Sequence, residues 1–369
     1  MIYVFYNNDP LAQDLGGGAE HFRGLFRALD RSGEPFLLVG CRLQDERSDP
    51  RVAYVSRGSD FLRFWLGLWL WFWRNRERIG PGDVLHFHRN YAAWPKLVLA
   101  PGRGRVVVSY HNVTGRVLEG KLGRLARPLR TLMLLFERRV VRRADAIVCV
   151  SDRDRRVLAR EVAPEPFERA TVIPAGFDAR LFADLPVGPP GPELARKLLL
   201  LGRISHQKNV PLAIAVLERL VAEGDDYTLT IVGDGEDARA LVRRIAKSPA
   251  RERIRWLGRQ PHDRVPHILA AHGILLVTSR YEASPTVVKE ALEACRPVVT
   301  TDVGDVREWL EEGVTGFVRP AEEGQLAEAV RAASALVESG RYRRSAPAAL
   351  DERAIMDRLL GIYRRLATG

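Results

Sequence analysis

Short aliphatic and β-branched runs alternate with longer segments of helical periodicity along this chain, and the alternation occurs twice. In the first half, apolar runs at 2–6, 35–40, 83–88, 105–110 and 146–150 predict strands, while periodic segments at 19–31, 60–78 and 122–143 predict helices. The second half predicts strands at 197–201, 227–232, 253–257, 273–277 and 297–301. Helices are expected there at 209–223, 236–247, 263–271, 285–295, 304–311 and 322–338. Strands that read as unbroken apolar runs are buried on both faces, which is what parallel βαβ units produce. The expected fold is α/β, with two Rossmann-like doubly wound domains facing each other across a cleft and ligands at the carboxyl ends of the strands. The Pro- and Gly-rich stretch Asp184-Leu-Pro-Val-Gly-Pro-Pro-Gly-Pro192 reads as the hinge. Domains are therefore expected at 1–182 and 195–345, joined by a linker at 183–194. Residues 346–369 close on a helical pattern at 351–366 that suits either half, including a return to the first.

A chain of 369 residues that is 46% hydrophobic has enough apolar surface for two such cores. Its longest apolar stretch, Phe61–Trp73, is 13 residues, carries Arg63 and is interrupted by Gly67. A bilayer span needs roughly 20, so an integral membrane protein is disfavoured. Met1 leads straight into a strand pattern with no signal-peptide pattern before it. Cys41, Cys149 and Cys295 are too few and too scattered for a disulfide framework, show no zinc spacing and read as buried free thiols. A cytoplasmic setting fits best. The net charge of +11 is unevenly placed: residues 51–150 hold 19 basic and 6 acidic side chains, and 201–369 hold 25 and 24.

Three segments carry candidate chemistry. Gly16-Gly17-Gly18 follows the first strand and opens a helix, where backbone N–H groups can approach an anion or glycine can simply serve the turn. It lacks the Gly-x-Gly-x-x-Gly spacing and the acidic residue of a dinucleotide site, which disfavours a nicotinamide enzyme. Arg203 and Lys208 share the loop after a buried strand, a suitable pair for a diphosphate leaving group or else two solvated cations. Glu282 and Glu290 lie eight residues apart around the expected start of a helix at Ser284-Pro285. Free N–H groups near Thr286 and Val287 can hold phosphate and Glu290 can accept from a ribose diol, unless both carboxylates are surface residues.

In combination these motifs resemble the retaining nucleotide-sugar glycosyltransferases of glycosyltransferase family 4, which have the glycosyltransferase-B fold. The second half carries Gly-Arg-x(4)-Lys at 202–208, Val232-Gly-Asp-Gly-Glu236, Trp256-Leu-Gly258 and Glu-x(7)-Glu at 282 and 290. Arg296-Pro-Val-Val299, Gly304 and Glu312-Gly-Val-Thr-Gly-Phe317 follow. The first half adds the glycine loop, Tyr110-His111-Asn112, Val150-Ser-Asp152 and Val172-Ile-Pro-Ala-Gly-Phe-Asp178. Two positions depart from the pattern, Ala283-Ser284 after the first glutamate and Ala175 before the glycine of the Ile-Pro motif, and they leave the sugar open.

The resemblance implies a role for each position. Arg203 and Lys208 would hold the donor diphosphate, with Gly233 and the Ser284, Pro285, Thr286 and Val287 backbone beside it. Glu290 would hold the ribose and Glu282 the hydroxyls of the transferred sugar. His111 would face the sugar from the first domain, while Gly17 and Gly18 would approach the donor phosphates or the acceptor. No carboxylate stands out as the nucleophile of a double displacement. The implied reaction is same-face substitution through an oxocarbenium-like state, with no cofactor beyond the nucleotide-sugar donor, a UDP- or GDP-sugar. No metal is expected. Asp152-Arg-Asp154 reads as the acidic start of a helix, and His86-Phe-His88 is a pair without a third ligand in sight.

The basic segment adds an expected partner. Trp65, Trp69, Trp71 and Trp73 precede Arg74, Arg76 and Arg78, and a second run sets Lys121, Arg124, Arg127 and Arg130 at intervals of three. A helix apolar on every side is usually buried, but Trp beside Arg also suits one lying in a headgroup region. The expectation is a peripheral enzyme on the inner membrane face, acting on a lipid-linked or membrane-associated glycan, with a small soluble acceptor as the alternative. Nucleic acid is disfavoured because no helix-turn-helix, zinc or RNP motif accompanies the charge. A non-catalytic scaffold is the remaining alternative. The sequence leaves the oligomeric state open.

Overall fold

The computed structural model describes residues 1–11, 17–43, 48–111, 126–185, 188–342 and 350–368; for 17–20, 126–130 and 132 it describes the backbone alone. The chain forms two units, Met1–Ala175 with Arg353–Gly369, and Gly176–Glu352. The first is built on β1 (Ile2–Phe5), β2 (Phe36–Arg42), β3 (Val52–Arg57), β4 (Val84–Phe87), β5 (Arg105–Tyr110), β6 (Ala146–Cys149) and β7 (Thr171–Val172). These make a parallel sheet in the order β3-β2-β1-β4-β5-β6-β7. The second unit holds β8 (Lys197–Leu201), β9 (Thr228–Val232), β10 (Ile254–Trp256), β11 (Ile274–Val277), β12 (Val298–Thr301) and β13 (Gly316–Arg319). Their order is β10-β9-β8-β11-β12-β13, again all parallel. Strand order reverses between β1 and β4 in one sheet and between β8 and β11 in the other. Such switch points open a crevice at the carboxyl ends, and the expected site residues leave the strands there.

The helices that matter below are α1 (Gly17–Ser32), α2 (Phe61–Asn75), α3 (Ala126–Val141) and α4 (Asp152–Glu161) in the first unit. The second unit supplies α5 (Val210–Ala222), α6 (Thr286–Glu293) and α7 (Glu323–Glu338). The last helix, α8 (Glu352–Thr368), runs back into the first unit. Its Ile355, Met356, Leu359, Leu360, Ile362 and Tyr363 are buried with Phe22, Leu25 and Leu29 of α1 and with β1 and β2. Among the described residues no helix is long and apolar enough to cross a membrane.

The domain boundary differs from the sequence expectation. The chain changes unit at Ala175/Gly176, before the Pro- and Gly-rich stretch, which lies inside the second unit. Phe177 and Phe182 are buried in that unit's core. Buried Arg296 fixes the stretch further: its guanidinium donates to the carbonyls of Gly188, Leu269, Ala270 and Cys295 at 2.9–3.1 Å. Composition marked a hinge where side-chain hydrogen bonding makes a strap.

Helix α2 divides the aromatic segment between two environments. Phe64, Leu68 and Phe72, at i, i+4 and i+8, are fully buried, and Trp71 packs edge-on against Phe5 at 5.2 Å. Gly67 lets the helix lie directly on β3, since a Cβ there would stand 2.2 Å from the Val55 carbonyl oxygen. Leu62, Leu66, Leu70 and Trp73 line the opposite face and are exposed, Trp73 by 59%. Trp65 and Trp69 are half-buried and meet edge to face at 5.6 Å. Neither a wholly buried helix nor a wholly exposed one describes it. In the second basic run, Lys121 and Arg124 lie outside the described residues, and only the backbone of Arg127 and Arg130 is described, in α3.

One buried carboxyl sets a pH dependence. Glu137 of α3 accepts from Asn90 at 2.8 Å, and burial pushes its pKa up to about 7. Its folded-state pKa exceeds the unfolded one, so folded protein binds the extra proton and stability falls as pH rises from about 4.5 to about 7. Glu137→Gln removes that penalty and is expected to gain up to about 3 kcal/mol at pH 8 and little at pH 4, read by urea unfolding at both.

Candidate active site

The loops that follow β8, β9 and β11 converge, and glycines make the approach possible. Gly202 and Gly233 adopt φ of 148° and 134°, and a Cβ on Gly233 would stand 1.9 Å from the Gly202 carbonyl oxygen. Two backbone bonds lock this junction, Gly202 N–H to Val232 O at 3.0 Å and Ile204 N–H to Asp234 O at 3.0 Å. Trp256 donates its indole N–H to Gly233 O at 2.9 Å, which accounts for the tryptophan of the Trp-Leu-Gly motif. The residue called on as a phosphate neighbour, Gly233, is thus also a structural crossing point.

Lys208 and Glu282 meet in this junction. Lys208 Nζ lies 2.7 Å from Glu282 Oε1, with both side chains mostly buried. Ser279 Oγ donates to the same oxygen at 3.0 Å, and Gln207 Nε2 donates to Oε2 at 3.1 Å and to Tyr281 O at 3.0 Å. Thr278 Oγ1 secures the lysine loop from below through the Lys208 and Asn209 carbonyls, each at 3.1 Å. A carboxylate holding a cation and two neutral donors in fixed directions is a preorganised charged group. Arg203 behaves differently: its side chain is 72% exposed and pairs with Glu236 at 2.8 Å. A surface pair of this kind holds weakly, so the guanidinium is available to an anion.

The second carboxylate is anchored by α6. Pro285 is the N-cap, and the helix begins at Thr286 rather than at Ser284. Glu290 is 4% exposed, with His262 Nε2 3.7 Å from its Oε1. Ser284 turns inward and donates to Asp305 Oδ2 at 2.6 Å, while buried Lys289 Nζ bonds the same oxygen at 2.9 Å and also reaches Ser284 Oγ. Gly304, with φ of 54°, leaves room for this loop, because a Cβ would stand 2.6 Å from Ala283 O. Sequence reasoning named Lys208, Glu282, Glu290 and the 284–287 backbone but missed Gln207, Ser279, Lys289 and Asp305.

The first unit contributes a separate set of groups. Gly17 and Gly18 form the first turn of α1, and Gly16 lies outside the described residues. His111 follows β5, and its Nε2 is 2.8 Å from His88 Nδ1. The two strand histidines part company: His86 is held by Ser109 Oγ at 2.7 Å and by the Tyr363 hydroxyl of α8, whereas His88 meets His111 and His21. The pair in the sequence therefore does not act as one: His88 leaves His86 and clusters with His21 and His111. At Asp152-Arg-Asp154 the cap is Ser151, which accepts from Asp154 N–H at 3.1 Å. Asp152 pairs with Arg155 and Arg156, whose guanidinium groups hold its carboxyl below the usual range.

Comparison with known proteins bears on this geometry. Residues 190–347 match the family described as Glycosyl transferases group 1, and residues 15–181 match Glycosyltransferase Family 4. The chain is 29% identical over 269 residues to the alpha-D-kanosaminyltransferase of Streptomyces kanamyceticus, covering 69% of each chain. Sucrose-phosphate synthase from Thermosynechococcus elongatus superposes with a TM-score of 0.80 at 20% identity, over 100% of this chain and 99% of that one. Anabaena HepE in complex with UDP-glucose gives a TM-score of 0.66 at 19% identity, over 100% and 98% of the two chains. Two all-parallel Rossmann-like units, family matches that span both and relatives that transfer sugars agree with the sequence motifs, and the chain belongs to the family 4-type glycosyltransferases of the glycosyltransferase-B fold.

Proposed function

We propose that this glycosyltransferase moves a hexosyl group from a nucleoside-diphosphate sugar to a hydroxyl acceptor with retention of the anomeric configuration. The observation that carries the reading is Lys208 held against Glu282 at the carboxyl ends of β8 and β11, with the 284–287 backbone and buried Glu290 in the same unit. Lys208 and Arg203 stabilise the charge that develops on the diphosphate as the anomeric carbon–oxygen bond breaks. The acceptor oxygen bonds the same face of the anomeric carbon, and its proton passes to the departing phosphate oxygen. Glu290 accepts from the ribose and Glu282 from sugar hydroxyls. Fixed cations replace a divalent ion, so full turnover is expected in EDTA.

A UDP-sugar is the first donor to try, since HepE is bound to UDP-glucose. Thermal-shift screening against UDP-, GDP- and ADP-sugars tests the reading. A true donor at 100 times its dissociation constant adds about 2.7 kcal/mol of stability. No shift with any nucleoside diphosphate sugar would remove it.

The exposed stripe of α2 supports an acceptor at a membrane. Leu62, Leu66, Leu70 and Trp73 lie on one face, with Arg63 and Arg74 exposed beside them, an arrangement matched by anionic headgroups over acyl chains. The protein is expected to float with vesicles containing phosphatidylglycerol at low salt. Trp73→Glu with Leu66→Glu should abolish flotation, and flotation with neutral vesicles alone would remove the electrostatic part.

A further inference from the structure

The first unit gathers three imidazoles, of which the resemblance gives a place at the sugar to His111 alone. His21 comes from α1, His88 follows β4 and His111 follows β5, and one ring nitrogen of each lies within 4.8 Å of the others. His88 is fully buried. Its Nδ1 faces His111 Nε2 at 2.8 Å, and its Nε2 has no hydrogen-bond partner among the described residues. The ring planes crowd together, His21 standing 5.2 Å from His111 and 5.5 Å from His88 between centroids. His86 is excluded from the set because both of its nitrogens are engaged, by Tyr363 and Ser109.

We propose that His21, His88 and His111 form a binding site for a late transition metal of the zinc class, with a fourth position open to an outside ligand. Three-histidine sets with an open position are an established way of holding this ion. Zinc–nitrogen distances of about 2.0–2.1 Å place tetrahedral ligand nitrogens about 3.3 Å apart. The 2.8 Å pair must open by about half an ångström, and nitrogens as far apart as 4.8 Å must close by about 1.5 Å. Turning the half-buried His21 and His111 rings would make both adjustments. The hydrogen between His88 and His111 moves by a change of tautomer to the other nitrogen of the ring that carries it, so binding releases no net proton. Burial holds the His21 pKa down to about 4 and those of His88 and His111 well below the usual range, leaving all three in the neutral form that ligates.

An occupied site would engage His111, and the effect on transfer rests on the reading, implied by the family resemblance, that His111 faces the sugar. Zinc should then inhibit transfer although turnover needs no metal. The test begins with EDTA-stripped full-length protein titrated with Co2+, whose visible absorption reports coordination without any activity assay. One equivalent of Co2+ should bind and be displaced by Zn2+, with affinity at least tenfold weaker in His21→Gln and in His111→Gln. His21 is half-buried, so its variant is expected to fold, and circular dichroism checks both. No saturable absorption overturns the site, and so does wild-type affinity in both variants, which would assign the ion to other groups. Binding without inhibition keeps the metal site and instead counts against His111 at the sugar.

Discussion

Lys208→Ala is expected to lower kcat by about 10²–10³-fold, with the thermal midpoint little changed. The factor is that of one preorganised charge-stabilising group removed from a developing anion. The fold should tolerate the change because Glu282 keeps its bonds from Ser279 and Gln207, and the lysine loop keeps its backbone bonds to Thr278. Lys208→Arg is not a faithful replacement: a planar fork cannot occupy the place of a point charge 2.7 Å from one carboxylate oxygen. Steady-state kinetics over a range of donor concentration separates the effects. A loss confined to KM would make Lys208 a binding group that acts equally in ground and transition states. Unchanged kcat and KM would sink the phosphate clamp.

Lys289→Ala should have the largest effect on stability, about 3–5 kcal/mol, because it leaves the Asp305 carboxylate buried without its cation. Both side chains are essentially inaccessible, 0% and 1% exposed. Asp305 Oδ1 already lacks a hydrogen-bond partner among the described residues, so little else can compensate. Replacing both members, Lys289→Met with Asp305→Asn, should recover most of the loss, since it removes both charges rather than stranding one. Urea unfolding of the two variants measures the difference. A single variant within 1 kcal/mol of wild type would mean that Asp305 is hydrated in solution. Ser284 shares Asp305 Oδ2, so the single variant should also raise the donor KM by loosening the 284–287 loop.

Both sheets and most of their strands were legible because parallel strands covered on two faces are written as apolar runs. The strands missed from the sequence are those without such a run. β3 is an edge strand of half-buried residues ending in Ser56 and Arg57, β7 has only two residues, and β13 opens on Gly316. The charged candidate residues stood out through their spacing around glycines. Their supports did not, because Gln207 and Glu282 are 75 positions apart and Lys289 and Asp305 are 16 apart. Nothing local distinguishes such residues from solvated polar ones. His21 was silent for the same reason: it joins His88 and His111 only through the placement of α1 beside β4 and β5. The unit boundary lies elsewhere because proline and glycine report a broken element, and among the described residues Arg296 fastens that break at Gly188.

The return of α8 to the first unit makes the two units unequal as pieces of chain. Residues 176–352 run without interruption, so the second unit is a single insert that gene truncation can release whole. The other unit is assembled from the segments on either side of that insert, and a fusion of 175 to 353 would encode it. During synthesis its core must wait, with the α8-facing surfaces of β1 and α1 uncovered, until the seventeen residues of α8 emerge. A ribosome-bound chain halted before Glu352 would therefore present a finished insert attached to an unfinished host.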